Sequence, residues 1–216
     1  MNINRIIDKY FEGKASQVTI EVFDKDNIYE VYADIVRTLH DYPEIELTTL
    51  QTLAYCFYEI LDNVLTHSGK QMGTVVMHYD NNATSIKILV VDDGIGIKQS
   101  LSENSKYKDI SESEALRVCI NENVTDGKGM GFGLFSTMQL VRTAGVDLKI
   151  HSGGFVSIYD GENVLVKAAD EWKGTIVYFE LHSDRIINPD EVLLGRVDAE
   201  DEYETLFEED DFENLW

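Results

Sequence analysis

Three polar residues with chemical potential share one face of a strongly helical segment. Glu59, Asn63 and His67 are spaced i, i+4 and i+8, so a carboxylate, a carboxamide and an imidazole follow one another along the helix. An amide oxygen is a hard, neutral ligand that suits Mg²⁺, and a carboxylate one turn earlier can deprotonate a nucleophile that attacks a phosphate. The face lies away from the apolar stripe of the helix, so a merely solvated polar surface is the alternative interpretation.

A second candidate group lies where a strongly apolar run ends. Residues 86–91 lead directly into a segment that contains Asp92, Gly94 and Gly96. A carboxylate at such a strand end can accept a hydrogen bond from the exocyclic amine of adenine, and glycines let the backbone approach a flat base closely. The pattern indicates a base-binding site, with a simple Asp-Gly turn as the alternative.

A glycine-rich loop forms the third candidate group. Glycine occupies every second position from 127 to 133, and the segment opens into a helical pattern at 131–144. The backbone amides of such a loop, together with the free N–H groups of the helix start, can bind phosphate. The loop is neither a Walker motif, because no Gly-Lys-Ser/Thr follows at the required spacing, nor a dinucleotide fingerprint, because no strand precedes it.

These groups require a scaffold of alternating strands and amphipathic helices. Residues Thr48 and Gln51 form a capping-box pattern at the start of the third helix, and Gly145 is a plausible C-cap of the last. Hairpin turn signals occur at Gly153-Gly154 and Asp160-Gly161. Apolar periodicity predicts helices at about 3–12, 27–41, 48–67, 111–122 and 131–144, and strands around 18–22, 75–79, 86–91, 146–150, 156–158 and 177–181.

Strands that follow one another by hairpin, with helices between other pairs, predict an α+β two-layer sandwich with a mixed, mainly antiparallel sheet. The 216 residues suit one domain, which we place at residues 1–182, followed by an acidic tail at 183–216. The tail concentrates charge, because ten of its acidic residues lie between 198 and 216.

Composition excludes several classes of function. The net charge of −22 repels nucleic acids and anionic membrane surfaces. We find no apolar run of about 18 residues and no secretory signal pattern, so a cytoplasmic protein without a membrane span is expected. The distant Cys56 and Cys119 predict small buried hydrophobes and neither a disulfide framework nor a zinc cluster.

The candidate groups occur in an order that resembles the GHKL ATPase superfamily of gyrase, the heat-shock chaperone ATPase, histidine kinases and MutL-like ATPases. The resemblance spans about residues 50 to 181 and implies the Bergerat ATP-binding fold, with helices on one face of the sheet. Glu59-x-x-x-Asn63 resembles the family's N box, Asp92-x-Gly94-x-Gly96 its first glycine box, Gly129-x-Gly131-x-Gly133-Leu134 its second, and Gly174-Thr175 its final Thr motif.

The resemblance also implies roles for individual residues. With His67, the N box looks most like that of stand-alone anti-sigma-factor serine kinases. Glu59 would be the general base, Asn63 the Mg²⁺ ligand, and the other nucleotide-binding residues would be His67, Asp92, Gly94, Gly96, Lys128, Gly129, Gly131, Gly133, Leu134 and Thr175.

Within that set, Asp92 would bind the adenine amine and Thr175 would contact adenine. Residues 97–128 would form the flexible ATP lid, and Lys128 at its hinge is a candidate γ-phosphate contact. Asp93 departs from the family pattern, where Asn is common, and is expected to add negative charge near the base pocket.

The resemblance favours a protein that binds ATP with Mg²⁺ and phosphorylates a protein partner on serine or threonine. An ATP hydrolase coupled to lid closure and dimerisation, and hence a homodimer, is one alternative. A non-catalytic module that binds partners in response to ATP is another. A phosphoacceptor role for His40 is not expected, because the 18 residues between His40 and Glu59 cannot form the two long helices of a dimerisation domain.

Overall fold

The computed structural model describes residues 3–11, 18–42, 45–80, 85–128, 133–144, 146–159 and 163–182. The helices are α1 (Ile3–Tyr10), α2 (Ile28–His40), α3 (Leu47–His67), α4 (Ile97–Leu101), α5 (Glu112–Val118) and α6 (Gly133–Ala144), with a 3-10 turn at Ser105–Tyr107. The strands are β1 (Thr19–Asp24), β2 (Met72–Asp80), β3 (Ser85–Val91), β4 (Asp147–Tyr159) and β5 (Val164–His182).

The described strands form one five-stranded sheet in the order β1-β2-β3-β5-β4. Each neighbouring pair is antiparallel, so the predicted α+β sandwich with a mainly antiparallel sheet is confirmed. This order places β3 beside β5, and Val91 therefore pairs with Ile176 at the end of β3. The strand end that carries Asp92 consequently lies next to Thr175.

The main core lies between one face of the sheet and helices α2, α3, α5 and α6. The apolar stripe of α3 drives this packing, because Phe57, Ile60 and Leu61 are at most 1% exposed and join one cluster with Ile88 and Phe179. At about 1.5–3 kcal/mol for each fully buried side chain, this stripe fixes α3 against the sheet and sets the direction of its polar face.

The opposite face of the sheet is also partly covered, in addition to the expected layer of helices. Ile6 and Ile7 of α1 pack in a second cluster with Val76, Leu89 and Tyr178. The central strands carry apolar side chains on both faces, as the buried patterns of β2 and β3 show. An antiparallel sheet with two apolar faces needs a second cover, which α1 supplies.

Several local predictions were wrong. The capping box fails because α3 begins at Leu47, its N-cap is Glu46, and no side chain caps it. Gly153-Gly154 is not a turn; β4 continues through it with register shifts between Ser152 and Phe155. The predicted strands 146–150 and 156–158 are therefore one strand. Gly145 and Asp160-Gly161 lie outside the described residues.

Both cysteines are free and buried, as predicted. Within the part of the chain that the structure describes, no helix combines the length and apolarity needed to cross a membrane. The division at residue 182 between body and tail stays a prediction.

Candidate functional site

Helix α3 presents its polar face to a cavity of about 320 Å³, rather than to bulk solvent. This volume lies at the lower end of the range of small-molecule pockets, about 300–1,000 Å³. The other walls come from the end of β3, from the interior of β5, from α4 and from the segment that precedes α6. The predicted site residues on its wall are Glu59, Asn63, His67, Asp92, Gly96, Lys128, Leu134 and Thr175.

Two further predicted residues, Gly94 and Gly133, are described but are not part of this wall. Gly94 sits behind the wall, where its backbone amide donates to Asp92 Oδ1 at 2.7 Å. A side chain at position 94 would collide with the Ser68 carbonyl, so glycine permits the contact between this loop and the end of α3. Gly133 is the first residue of α6. Gly129 and Gly131 lie outside the described residues.

Asn63 carries an unsatisfied polar atom. Its Nδ2 is buried and has no hydrogen-bond partner among the described residues. A buried donor without a partner lowers the stability of the fold by about 1–3 kcal/mol. An acceptor that enters the cavity can therefore bind to Asn63 Nδ2 and remove this cost. Phosphate oxygens are acceptors of this kind, while the amide oxygen of the same side chain is a suitable metal ligand.

Both backbone polar groups of Asp92 form hydrogen bonds. Its N–H donates to the Thr175 carbonyl at 2.9 Å, and its carbonyl accepts from Trp172 Nε1 at 2.8 Å. Its side chain accepts from the Gly94 amide and from the Thr175 hydroxyl. The carboxylate is therefore fixed in position at the strand end.

Burial raises the pKa of Asp92 to about 6, although the hydrogen bonds from Gly94 and Thr175 act in the opposite direction and the charge of Asp93 adds slightly to the rise. At neutral pH the group is still mainly ionised and is a buried acceptor. This is the state that can accept the amine of an adenine base.

Asp93 adds negative charge near Asp92, as expected, but its side chain lies outside the cavity. Its side chain is 73% exposed and lies 3.3 Å from Lys70 Nζ, and it is not part of the cavity wall. Asp93 acts on the base site only through its charge on Asp92.

His67 makes a contact that the sequence does not predict. Its Nδ1 lies 2.8 Å from Oδ2 of Asp126, a side chain that is only 1% exposed. The same Oδ2 accepts from Ser100 Oγ at 2.8 Å, and Oδ1 accepts from the Lys128 amide at 2.9 Å. Burial would raise the pKa of Asp126, but the hydrogen bonds from Lys128, His67 and Ser100 outweigh it and hold the pKa below its ordinary value.

Lys128 reaches the cavity but already has an acidic partner. Its Nζ lies 2.8 Å from Glu103 Oε2 and 3.8 Å from Asp126 Oδ2. The hydrogen bond from Lys128 to Glu103 is the main cause that raises the lysine's pKa. The Lys128 side chain is 41% exposed and that of Glu103 is 46% exposed. Lys128 can therefore leave Glu103 for another anion, because the Glu103 carboxylate would then be solvated by water.

Comparison with known families gives one match that covers most of this architecture. Residues 48–185 match the model of the histidine kinase-, DNA gyrase B-, and HSP90-like ATPase family. The chain belongs to this family. The match runs from α3 to just beyond β5 and leaves α1, β1 and α2 outside it. No curated protein matches the chain.

As a member of this ATPase family, the protein has an ATP-binding domain of the GHKL type. The cavity therefore is the candidate ATP site, since residues from all four segments that resemble family motifs line it. Asn63, Asp92, Leu134 and Thr175 come from the segments that resemble the N box, the first glycine box, the second glycine box and the final Thr motif.

Sequence reasoning missed three residues that organise the candidate ATP site: Ser100, Asp126 and Trp172. Asp126 had one local signal, because Asp126-Gly127 directly precedes the glycine loop, although Asp-Gly pairs are common in turns. Trp172 had none, since its contact with Asp92 joins residues 80 positions apart.

Proposed function

We propose that the protein transfers the γ-phosphoryl group of ATP to a serine or threonine hydroxyl of a protein partner. The observation that carries the proposal is the placement of Glu59 one helical turn before Asn63 on the wall of the ATP cavity. A protein that only binds ATP needs no carboxylate at this position. The resemblance of the N box to that of anti-sigma-factor serine kinases supports a hydroxyl acceptor.

In this mechanism Glu59 accepts the proton of the attacking hydroxyl. A bond forms between the hydroxyl oxygen and the γ-phosphorus, the bond from that phosphorus to the β–γ bridging oxygen breaks, and ADP leaves. The Tyr55 hydroxyl lies 3.4 Å from Glu59 Oε1, on the turn before it, and orients the carboxylate. Tyr55 itself is buried, so this orienting group is held by the core.

The residues fit a magnesium ion held jointly with the nucleotide. No group of three His, Cys, Asp or Glu among the described residues forms a metal cluster by itself. Magnesium commonly takes one or two protein oxygens together with phosphates and water, and the Asn63 oxygen provides such a ligand. The ion would neutralise charge on the phosphates, while Asn63 Nδ2 supplies the donor that the cavity leaves unpaired.

The test is label transfer from ATP that carries the label on its γ-phosphate, with protein extract from the source organism as acceptor. We expect a labelled protein whose phosphate survives acid, as serine and threonine esters do and phosphohistidine does not. Glu59→Gln should abolish the label, and the matched control Glu46→Gln should retain it, because Glu46 is exposed at the N-cap of the same helix and is not on the cavity wall.

Other outcomes reject the kinase proposal in favour of a named alternative. Release of phosphate at the same rate with and without extract would identify an ATP hydrolase. Tight ATP binding with neither transfer nor release would identify an ATP-dependent binding module. Acid-labile label would identify a histidine phosphoacceptor.

A further inference from the structure

The pair formed by Asp126 and His67 has a consequence for how the cavity recognises a nucleotide. Asp126 accepts three hydrogen bonds, and its lowered pKa keeps the carboxylate ionised. An ionised carboxylate only accepts hydrogen bonds. The His67 Nδ1 must therefore carry the proton, and in the neutral ring Nε2 is left as an acceptor.

The position of His67 along the cavity indicates which part of a nucleotide it meets. Asn63 lies one turn before it, about 6 Å along the helix axis, at the level assigned to the phosphates. Ser68 follows it directly, and its carbonyl accepts from Ile95 N at 2.8 Å, in the loop that starts at Asp92. His67 therefore lies between the phosphate level and the base level, where the sugar of a nucleotide lies.

We infer that Asp126 is a positioning residue that makes His67 a hydrogen-bond acceptor for a ribose hydroxyl of the bound nucleotide. The inference rests on the proposed ATP site and adds a determinant of sugar specificity to it. A hydroxyl donates to a lone pair, which Nε2 provides only when Nδ1 holds the proton. Without Asp126 the neutral ring is free to place the proton on Nε2, and the acceptor is lost.

The first experiment needs no nucleotide. The full-length protein with ¹⁵N-labelled histidine is studied by NMR at a pH where the His67 ring is neutral, and the signals are assigned by their loss in His67→Leu. We expect the proton on Nδ1 in the wild type and a shift toward Nε2 in Asp126→Asn. The matched control Asp109→Asn removes an exposed carboxylate of the same lid segment and should behave as the wild type.

The second experiment measures the affinities of ATP, 2′-deoxy-ATP and 3′-deoxy-ATP by calorimetry. The wild type and Asp109→Asn should bind ATP roughly five- to tenfold more tightly than at least one deoxy analogue, the range expected for loss of one buried hydrogen bond. Asp126→Asn and His67→Leu should bind the three nucleotides alike. Circular dichroism verifies folding, and His67→Leu carries the test if Asp126→Asn does not fold.

The experiments distinguish failure of the Asp126 role, failure of sugar recognition and failure of the proposed function. A wild-type ring with its proton on Nε2 overturns the role of Asp126, whatever the nucleotide does. Equal binding of all three nucleotides by the wild type overturns sugar recognition, and discrimination kept by both Asp126→Asn and His67→Leu overturns it as well. A wild type that binds no ATP rejects the proposed function and the ribose contact together, while NMR still decides separately on the Asp126–His67 pair.

Discussion

Asp92 lowers the stability of the fold at neutral pH, although its ionised form is the one that would bind an adenine amine. The residue is 4% exposed, and the pKa of its carboxyl is raised to about 6 mainly because burial disfavours the ionised form. The folded state therefore binds the proton more tightly than the unfolded chain, whose Asp pKa is about 3.9. Stability from this group is present below the unfolded pKa and is lost as pH rises through about 6.

We expect Asp92→Asn to stabilise the fold at pH 7 and to weaken ATP binding. Removing the buried charge should add on the order of 1–3 kcal/mol to the free energy of unfolding at pH 7 and almost nothing at pH 4, where the wild-type carboxyl is protonated. ATP affinity should fall by about tenfold or more, because the amide mispairs with the base. Urea unfolding at both pH values and calorimetric titration measure the two effects.

Asp93→Asn is the matched control, because Asp93 is exposed; it should change stability by less than about 0.5 kcal/mol. A variant Asp92→Asn that is less stable than the wild type at pH 7 would show that the buried charge is compensated. Unchanged ATP affinity would remove Asp92 from the base site.

Glu59 and Asn63 allow chemistry and binding to be separated at the residue scale. Glu59→Ala should keep ATP affinity within a few-fold while phosphoryl transfer or hydrolysis is largely lost, because only the nucleophile loses its base. Asn63→Ala should lose Mg²⁺-dependent ATP binding, because the metal loses its protein ligand. Titrations with and without Mg²⁺, together with product formation, distinguish the two; full turnover in Glu59→Ala would exclude it as the base.

Among the elements, the segment 97–128 is tied to the rest of the domain in its middle and near its C-terminal end. In the middle, Glu112 of α5 accepts from the Gly154 amide at 3.2 Å, at the irregularity in β4 where a turn was expected. Near the end, Asp126 contacts His67 of α3, and the hydrogen bonds of Asp126 with Ser100 and of Asn104 with the Thr125 carbonyl at 3.0 Å hold the segment together internally. The irregularity in β4 thus lies where the Gly154 N–H donates to α5.

Glu103 lies 2.8 Å from Lys128 Nζ and would compete with the phosphates for the predicted γ-phosphate contact of this lysine. Glu103→Gln should free Lys128 and raise ATP affinity a few-fold at low salt, with a smaller gain at high salt and none for adenosine, which has no phosphate. Calorimetry at two salt concentrations measures this. The control Glu114→Gln changes an exposed glutamate on α5 and should leave affinity unchanged; an equal gain there would assign the effect to net charge alone.

At the scale of the whole molecule, an anionic ligand must bind to a strongly acidic protein. The net charge is −22, and the ten acidic residues of segment 198–216 leave −22 + 10 = −12 for the rest. Among the described residues, the cavity lining offers the unpaired amide donor of Asn63 and the cation of Lys128 to such a ligand. The tail lies outside the described residues, and its docking or autoregulatory role stays a prediction.

Deletion of 198–216 should change ATP turnover or partner binding while the fold is kept, because the described sheet ends at His182. Turnover and the unfolding midpoint are measured at two salt concentrations. A full-length control that keeps the charge replaces the large apolar tail residues Leu206, Phe207, Phe212, Leu215 and Trp216 with serine. An effect in both variants indicates apolar anchoring, an effect of the deletion alone indicates charge, and no effect in either contradicts the role.

The sequence by itself was sufficient for the features that depend on local pattern. The spacing of Glu59 and Asn63 puts both side chains on one face of a helix whose apolar stripe is equally visible, and the apolar run before Asp92 predicts a strand end. The family match from 48 to 185 confirms the ATPase assignment that these motifs suggested. The roles of the individual site residues, Mg²⁺, the partner and the homodimer stay predictions.

Only the tertiary structure decided the contacts between residues that are distant in sequence. His67 meets Asp126 across 59 positions, and Trp172 meets Asp92 across 80. Neither pair has a periodic signal, because each depends on the order of strands in the sheet and on how the lid folds back on α3. The cover on the second face of the sheet could not be predicted for the same reason. The apolar residues of α1 indicate that this helix packs against something, but only the folded sheet shows that it packs on the second face.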